Sequence, residues 1–308
     1  MLRAPLIVID GFLPAALALQ MRRDIDEHFA SPHLHRPETH QVWNYWFVPE
    51  LYTYLRANPE KVIGHERVAA FHGALRDWSS ATLGMANVTW PYLSLYVGGC
   101  RQGWHNDSTN GRFGFVYSLT RDLRRTIGGE TLVQRESDPF RANLVRPQAG
   151  RGFYEIVEPR FNRLVVFDDR LPHAVERIDG SMDPVEGRFV IHGHLSEGGA
   201  IVEGALPGAA VAGPVGELLG RFRDDAAGAA ALYHGPLVLR LRIDQAGAVA
   251  GCTVVLDRVM HPDPGHADWE ALRARLVERF QRAVFPPATG ETVLTQPVAF
   301  GSLPAGAG

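Results

Sequence analysis

The chain has 308 residues, 45% of them hydrophobic and 21% charged, and a formal net charge of −3. That is the composition of a folded globular protein with room for one large domain or two smaller ones. The absence of any long Lys/Arg block argues against a nucleic-acid surface or an anionic-membrane patch.

Only Cys100 and Cys252 are present, far apart in sequence. They cannot build a disulfide framework or a cysteine zinc site, which fits a reducing compartment. No apolar run approaches the roughly 20 residues needed to cross a bilayer. The N-terminal run Leu6-Ile7-Val8-Ile9 is too short for a secretory signal. The expectation is a cytoplasmic protein with no membrane and no nucleic-acid partner.

In chain order, Leu6 to Ile9 reads as a strand closed by Asp10-Gly11, and Pro14 stands where a helix can begin. Leu17, Met21, Ile25 and Phe29 recur every four residues among Arg22, Arg23, Asp24 and Glu27, the pattern of an amphipathic helix. The stretch Thr39 to Tyr54 is rich in aromatic residues and reads either as core or as the wall of a substrate groove, with Trp43, Asn44 and Trp46 as candidate substrate contacts. A second helix is expected from about Pro59 to Leu83, with Val68, Phe71, Leu75 and Trp78 on one side.

From Tyr92 the pattern changes to short β-rich runs: Tyr92 to Val97, Phe113 to Leu119, Thr131 to Gln134, Gly152 to Val157, Leu164 to Phe167, Ala174 to Ile178 and Arg188 to Leu195. Many strands preceded by helices imply an α+β chain, with an antiparallel barrel or sandwich backed by helices on one face. The arginines Arg121, Arg124 and Arg125 read as a substrate-facing loop or as an ordinary solvated charge run. Residues 197–235 turn to Gly, Ala and Pro and read as a linker, although Leu218 to Leu232 has room for one helix. Residues 236–308 then follow the order β-β-α-β: Leu237 to Ile243, Ala248 to Val259, a helix from Trp269 to Val284, and a last strand from Thr292 to Phe300.

The chemistry centres on Trp104-His105-Asn106-Asp107. On an extended strand, side chains two apart point the same way, so His105 and Asp107 can address one point. A third ligand from another strand is offered by His173, after the run Leu164-Val165-Val166-Phe167. Two histidines and one carboxylate leave coordination positions open, as non-haem Fe(II) oxygen chemistry requires. A bidentate 2-oxo acid in those positions calls for a cation at its far end. Arg188, which begins the strand after His173, supplies a guanidinium fork within reach across a hairpin. The histidines His192 and His194, on the same strand, read as packing or hydrogen-bonding residues, and Asp168-Asp169 as the turn before His173.

Taken together, Tyr96, Gly99, His105, Asp107, Tyr117, Gly128-Gly129-Glu130-Thr131, His173-Ala174-Val175 and Gly187-Arg188 resemble the Fe(II)/2-oxoglutarate-dependent dioxygenases, in their prolyl-4-hydroxylase-like branch. The resemblance covers roughly Leu6 to Leu195 and implies a double-stranded β-helix within a domain of residues 1–196. It implies iron on His105, Asp107 and His173, with Arg188 and Tyr117 holding the distal carboxylate of 2-oxoglutarate and Tyr96 nearby. The implied reaction consumes O2, with ascorbate as a candidate reductant, and hydroxylates an amino-acid side chain, free, peptide-borne or carrier-bound, releasing succinate and CO2. Asp107 in the carboxylate position favours hydroxylation over halogenation. Oxidation of a free small-molecule metabolite and a catalytically silent binding protein are the alternatives.

The last unit is similar to the C-terminal domain of TonB-type energy transducers through Leu239-Arg240-Leu241-Arg242-Ile243-Asp244, Gly247, Phe285-Pro286-Pro287 and a final strand ending at Phe300. That likeness implies a docking module for a protein or peptide, or a packing or dimerisation appendage.

Overall fold

A computed structural model of the chain describes residues 6–31, 33, 35–36, 41–44, 52–107, 110–122, 124–135, 152–230, 233–260 and 268–301. It divides into two compact units, one formed by Arg3–Leu75 and Val88–Leu195, the other chiefly by Arg76–Asn87 and Ser196–Gly308. Among the described residues no helix is long and apolar enough to cross a membrane.

The elements of the first part are β1 (Leu6–Asp10), α1 (Ala15–Phe29), β2 (Gln41–Asn44), β3 (Tyr52–Ala57), α2 (Pro59–Ile63), α3 (His65–Leu83), β4 (Asn87–Val88), β5 (Tyr92–Tyr96) and β6 (Arg101–His105). They continue with β7 (Phe113–Ser118), β8 (Thr126–Ile127), β9 (Thr131–Gln134), β10 (Tyr154–Val157), β11 (Arg163–Asp168), β12 (His173–Val175), β13 (Asp179–Gly180) and β14 (Arg188–Ser196). Helix α1 begins directly after Pro14 and buries Met21, Ile25 and Phe29, as the four-residue spacing requires. The expected single helix from Pro59 is two. Gly64 takes φ +95°, outside the helical range, and separates α2 from α3.

The strands form a large antiparallel sheet whose main path runs β1-β11-β7-β14-β5-β3-β6-β12-β9-β10. It curls on itself, consistent with a jelly roll. Arg188 on β14 donates to the Thr131 hydroxyl on β9 at 3.1 Å, although four other strands lie between them on the path. The Phe167 ring on β11 likewise lies 4.6 Å from the His173 ring on β12.

Directly paired residues share a face, so Arg188/Tyr96, Val190/Ser94/Ser118 and His194/Gly114 mark the inside of the curl. The opposite face of the same strands carries Phe115, Tyr117 and Phe189 against the helices. Phe71 of α3 stacks on Tyr117 at 5.0 Å, and Phe29 of α1 meets Phe189 at 5.2 Å. Arg22 of α1 lies over the Phe189 ring and donates to the Leu119 and Val185 carbonyls.

The second unit contains β15 (Ile201–Gly204), α4 (Gly208–Ala230), β16 (Gly235–Ile243), β17 (Val249–Asp257), α5 (Asp268–Gln281) and β18 (Thr292–Phe300). Its sheet runs β15-β18-β16-β17. Leu237, Leu239, Leu241 and Ile243 alternate along β16 and pack with Trp269, Leu272, Leu276 and Phe280 of α5.

The linker expected over 197–235 is not one. β15 adds to the sheet beside β18, and Val211, Val215 and Phe222 of α4 enter the same core. Alanine is the best helix former, so an Ala-rich stretch with apolar residues at helical spacing builds a helix instead of a flexible tether. The observed order is therefore β-α-β-β-α-β.

One side chain ties the entry of α1 to the sheet. Asn162, at φ +59°, donates to the Leu13 carbonyl at 2.8 Å and accepts from the Leu13 N–H at 2.9 Å and the Tyr117 hydroxyl at 2.8 Å, all buried. Asn162→Ala leaves three buried polar groups without this partner and is expected to lower the unfolding free energy by about 2–4 kcal/mol in urea titration. A loss below about 0.5 kcal/mol would contradict the assignment.

Candidate metal centre

Inside the curl, His105 at the end of β6 is paired in register with His173 at the start of β12, their rings 4.2 Å apart. Asp107 does not share the strand with His105, as the sequence suggested. It lies two residues past the strand end, where its N–H donates to the Asp169 carbonyl at 2.9 Å and its carbonyl accepts from the Asn110 N–H at 2.8 Å. This turn brings the carboxylate back to the two rings. Ligand atoms of His105, Asp107 and His173 all lie within 4.8 Å of one another.

The ring orientations are fixed from behind. His173 Nδ1 is 3.0 Å from the Leu171 carbonyl and His105 Nδ1 is 2.8 Å from the Gly103 carbonyl. A carbonyl can only accept, so both Nδ1 atoms carry the proton, and in the neutral rings both Nε2 lone pairs face inward. There Asp107 Oδ2 lies 3.3 Å from His173 Nε2 and 3.7 Å from His105 Nε2. Three such atoms converging on one point form a donor set that a cation would draw together. Asn110 holds the other carboxylate oxygen, Oδ1, at 3.1 Å.

Burial works against the charge of both outer groups, with different results. It pushes His105 down to about 4, assisted by the charge of His173. In Asp107 burial is outweighed by the hydrogen bond and charge of His173, which hold the carboxyl down to about 2. Near neutral pH the carboxylate is therefore ionised and His105 is neutral, the protonation states a metal requires.

Arg188 lies along the inner face from this trio. Its guanidinium is fully buried, 4.7 Å from the centre of the Tyr96 ring, and donates through Nη2 to Thr131. Its Nε and Nη1 have no hydrogen-bond partner among the described residues. Thr131 stands two residues from Val133, which pairs with His173. That is about 7 Å along the strand, the span of a short diacid.

Arg188 does not reach this place across a hairpin with β12. β14 pairs with β5 and β7, and the curl of the sheet delivers it. Gly129, at φ +85°, passes so close that a Cβ there would stand 3.2 Å from the Arg188 stem. The donor set, and a guanidinium with two donors unfilled among the described residues, thus fit a divalent metal and an anion beside it.

Tyr96 is on the inner face, stacked on Tyr54 at 4.7 Å, with its hydroxyl donating to Gln102 at 3.1 Å. Tyr117 is not. Its ring faces α3 and its hydroxyl is bound to Asn162, so it is a packing residue on the far side of β7. Sequence reasoning also missed Gln102, whose amide nitrogen is 3.1 Å from His105 Nε2.

His192 hydrogen-bonds Ser94 at 2.8 Å, and His194 Nδ1 hydrogen-bonds Asp169 at 3.0 Å. Of the candidate substrate contacts, Trp46 lies outside the described residues, as do the side chains of Trp43 and Asn44. Arg121, Arg124 and Arg125 are paired with Asp26, Asp122 and Glu186, the pattern of a charged surface.

No protein-family model matches the sequence, and no curated protein matches it. Among solved structures, the chain is similar to a Trichoplax adhaerens prolyl hydroxylase in complex with a hypoxia inducible factor oxygen degradation domain peptide fragment, at 14% identity and TM-score 0.44 over 61% of this chain and 81% of that one. It is also similar to a Pseudomonas putida prolyl-4-hydroxylase, at 17% identity and TM-score 0.44 over 64% and 94%. A third is an oxidoreductase of the 2OG-Fe(II) oxygenase family from Burkholderia pseudomallei, at 12% identity and TM-score 0.41 over 61% and 83%.

Burial, with the charges of Arg56, His194 and Arg188, pushes His192 down to about 3. An unfolded histidine titrates near 6.5, so between roughly pH 6.5 and 3 the unfolded chain takes up a proton that the folded chain refuses, and stability falls as pH falls. His192→Gln, which keeps a partner for Ser94, is expected to flatten this dependence. Its urea midpoint should drop less than that of the wild type between pH 7 and 5, and equal drops would contradict the assignment.

Proposed function

We propose that the chain is an Fe(II)- and 2-oxoglutarate-dependent dioxygenase that hydroxylates an amino-acid side chain, free, peptide-borne or carrier-bound. The observation that carries this reading is Arg188, a buried guanidinium with two donors unfilled among the described residues and bound to Thr131, which lies about 7 Å along β9 from the residue paired with His173 of the two-histidine, one-carboxylate cluster. A buried cation of this kind favours an anion that can satisfy it in a planar, two-bond geometry. A diacid chelating a metal at one end and meeting Arg188 at the other satisfies both.

In this reading His105, Asp107 and His173 hold the metal on one face, with Nδ1–H bonds to Gly103 and Leu171 fixing both rings. Ferrous iron with 2-oxoglutarate and dioxygen supplies the two-electron oxidation of a C–H bond to C–OH, with succinate and CO2 as co-products. Arg188 orients the co-acid from its distal carboxylate, and Thr131 and Tyr96 hold the guanidinium in place. Phe167 packs on His173 and limits water at that ring.

The inner wall also carries the Ser94–His192 hydrogen bond and the Arg56 guanidinium 3.7 Å from the centre of the Tyr92 ring. Arg56 pairs in register with Ser94 and so shares the inner face. Such polar groups suit the head group or backbone of an amino-acid substrate.

With Fe(II) and oxygen, the full chain is expected to convert 2-oxoglutarate to succinate and to add one oxygen, read by mass spectrometry, to an amino-acid or peptide substrate. His173→Ala should lower succinate formation at least about 100-fold. Unchanged turnover in that variant would rule the centre out.

A further inference from the structure

Behind the carboxylate ligand lies a buried pair that the reaction outlined above does not use. The Asp169 carboxylate is wholly buried, and its Oδ2 accepts from His194 Nδ1 at 3.0 Å. A ring nitrogen of His194, one oxygen of Asp169 and one oxygen of Asp107 lie within 4.8 Å of one another. The main chain of Asp169 holds the same turn from both sides, its carbonyl accepting from the Asp107 N–H at 2.9 Å and its N–H donating to the Arg112 carbonyl at 3.1 Å.

The surroundings are shaped for this carboxylate. A Cβ on Gly114 would stand 2.8 Å from Asp169 Oδ1, and one on Gly111 would stand 2.9 Å from Oδ2 and 2.8 Å from the His194 Cβ. Only glycine at both places leaves room for the pair.

We propose that His194 and Asp169 are positioning residues that fix the Asp107 carboxylate against the two imidazoles, a role that rests on the metal-centre reading above. Ligating carboxylates are commonly steadied by hydrogen-bonding neighbours, which set the ligand's orientation. Here the support is specific because residue 169 binds the Asp107 main chain directly and, through its hydrogen bond, holds a His194 ring nitrogen within 4.8 Å of the Asp107 carboxylate. The competing use of the cluster is a second cation bound by Asp107, Asp169 and His194. Geometry disfavours it. The main chain approaches both Asp169 oxygens so closely at Gly111 and Gly114 that even a Cβ would crowd them, which restricts the further ligands a second ion needs.

Titration of the full chain with Co(II), without co-acid, tests the proposal through both affinity and the d–d absorption spectrum. The wild type is expected to bind one Co(II). His194→Ala, at a side chain one-fifth exposed, and Asp169→Ala should each weaken binding about 10- to 100-fold and alter the spectrum. Asp169→Asn, which can still accept from His194 Nδ1, should restore affinity to within about threefold of the wild type. A role confined to folding would shift the thermal midpoint of His194→Ala while leaving its Co(II) spectrum unchanged, and that result overturns the proposal. Two Co(II) per wild-type chain, with one lost in Asp169→Ala, overturns it in favour of a second cation site. Failure of the wild type to bind Co(II) removes the metal centre and this inference with it, whereas equal binding by wild type and variants removes the inference alone.

Discussion

The structure depends on a cation placed where water cannot follow. Arg188 is among the largest wholly buried side chains, and burial lowers its pKa by desolvating the charged form, with Tyr96 as the leading opposing influence. A guanidinium nonetheless keeps its proton in a protein interior. Leaving a buried charged donor unsatisfied costs more than leaving a neutral one, so a folded chain that retains such a group needs a compensating anion. The curl of the sheet is what creates this situation. It closes β9 over β14 and so sets Thr131, Tyr96 and the guanidinium together within reach of the histidine pair.

The protonation pattern follows from the same enclosure. His105 is held neutral by burial and the charge of His173, and Asp107 is kept ionised against burial by the hydrogen bond and charge of His173, while the carbonyls of Gly103 and Leu171 decide which nitrogen of each ring faces inward. Asp169 is pushed up to about 6 by burial, against the lowering influence of His194. Burial also opposes the charge of His194, but the hydrogen bond to Asp169 outweighs it and raises that ring. The two neighbouring carboxylates therefore differ because Asp169 is wholly buried beside one imidazole, whereas Asp107 is partly exposed and faces two.

The four residues His105, Asp107, His173 and Arg188 were legible because their types and order, taken together, are uncommon. The geometry joining them was not. Asp107 lies beyond the strand, and Arg188 arrives through the curl instead of a hairpin. Tyr117 was misplaced for a definite reason. Phe113-Gly114-Phe115-Val116-Tyr117-Ser118 is buried on both faces, so apolar alternation gives no sign of which residues point inward, and a one-residue error moves a side chain to the other side. Asp169 and His194, 25 positions apart, could be joined only by the register that sets His194 beside Gly114. In the second unit, composition hid the first half of α4, because the Gly, Ala and Pro before Leu218 were weighed without the apolar spacing of Val211 and Val215.

The central claim is that the buried guanidinium and the metal trio hold the two ends of one diacid. Calorimetric titration of 2-oxoglutarate into the Mn(II)-loaded full chain tests it most directly, comparing the wild type with Arg188→Met. The account predicts one site per chain and an affinity about 100-fold weaker in the variant, the loss expected for a pair of charge-assisted hydrogen bonds, with Mn(II) binding unchanged. Equal affinity of the two proteins for 2-oxoglutarate would contradict it.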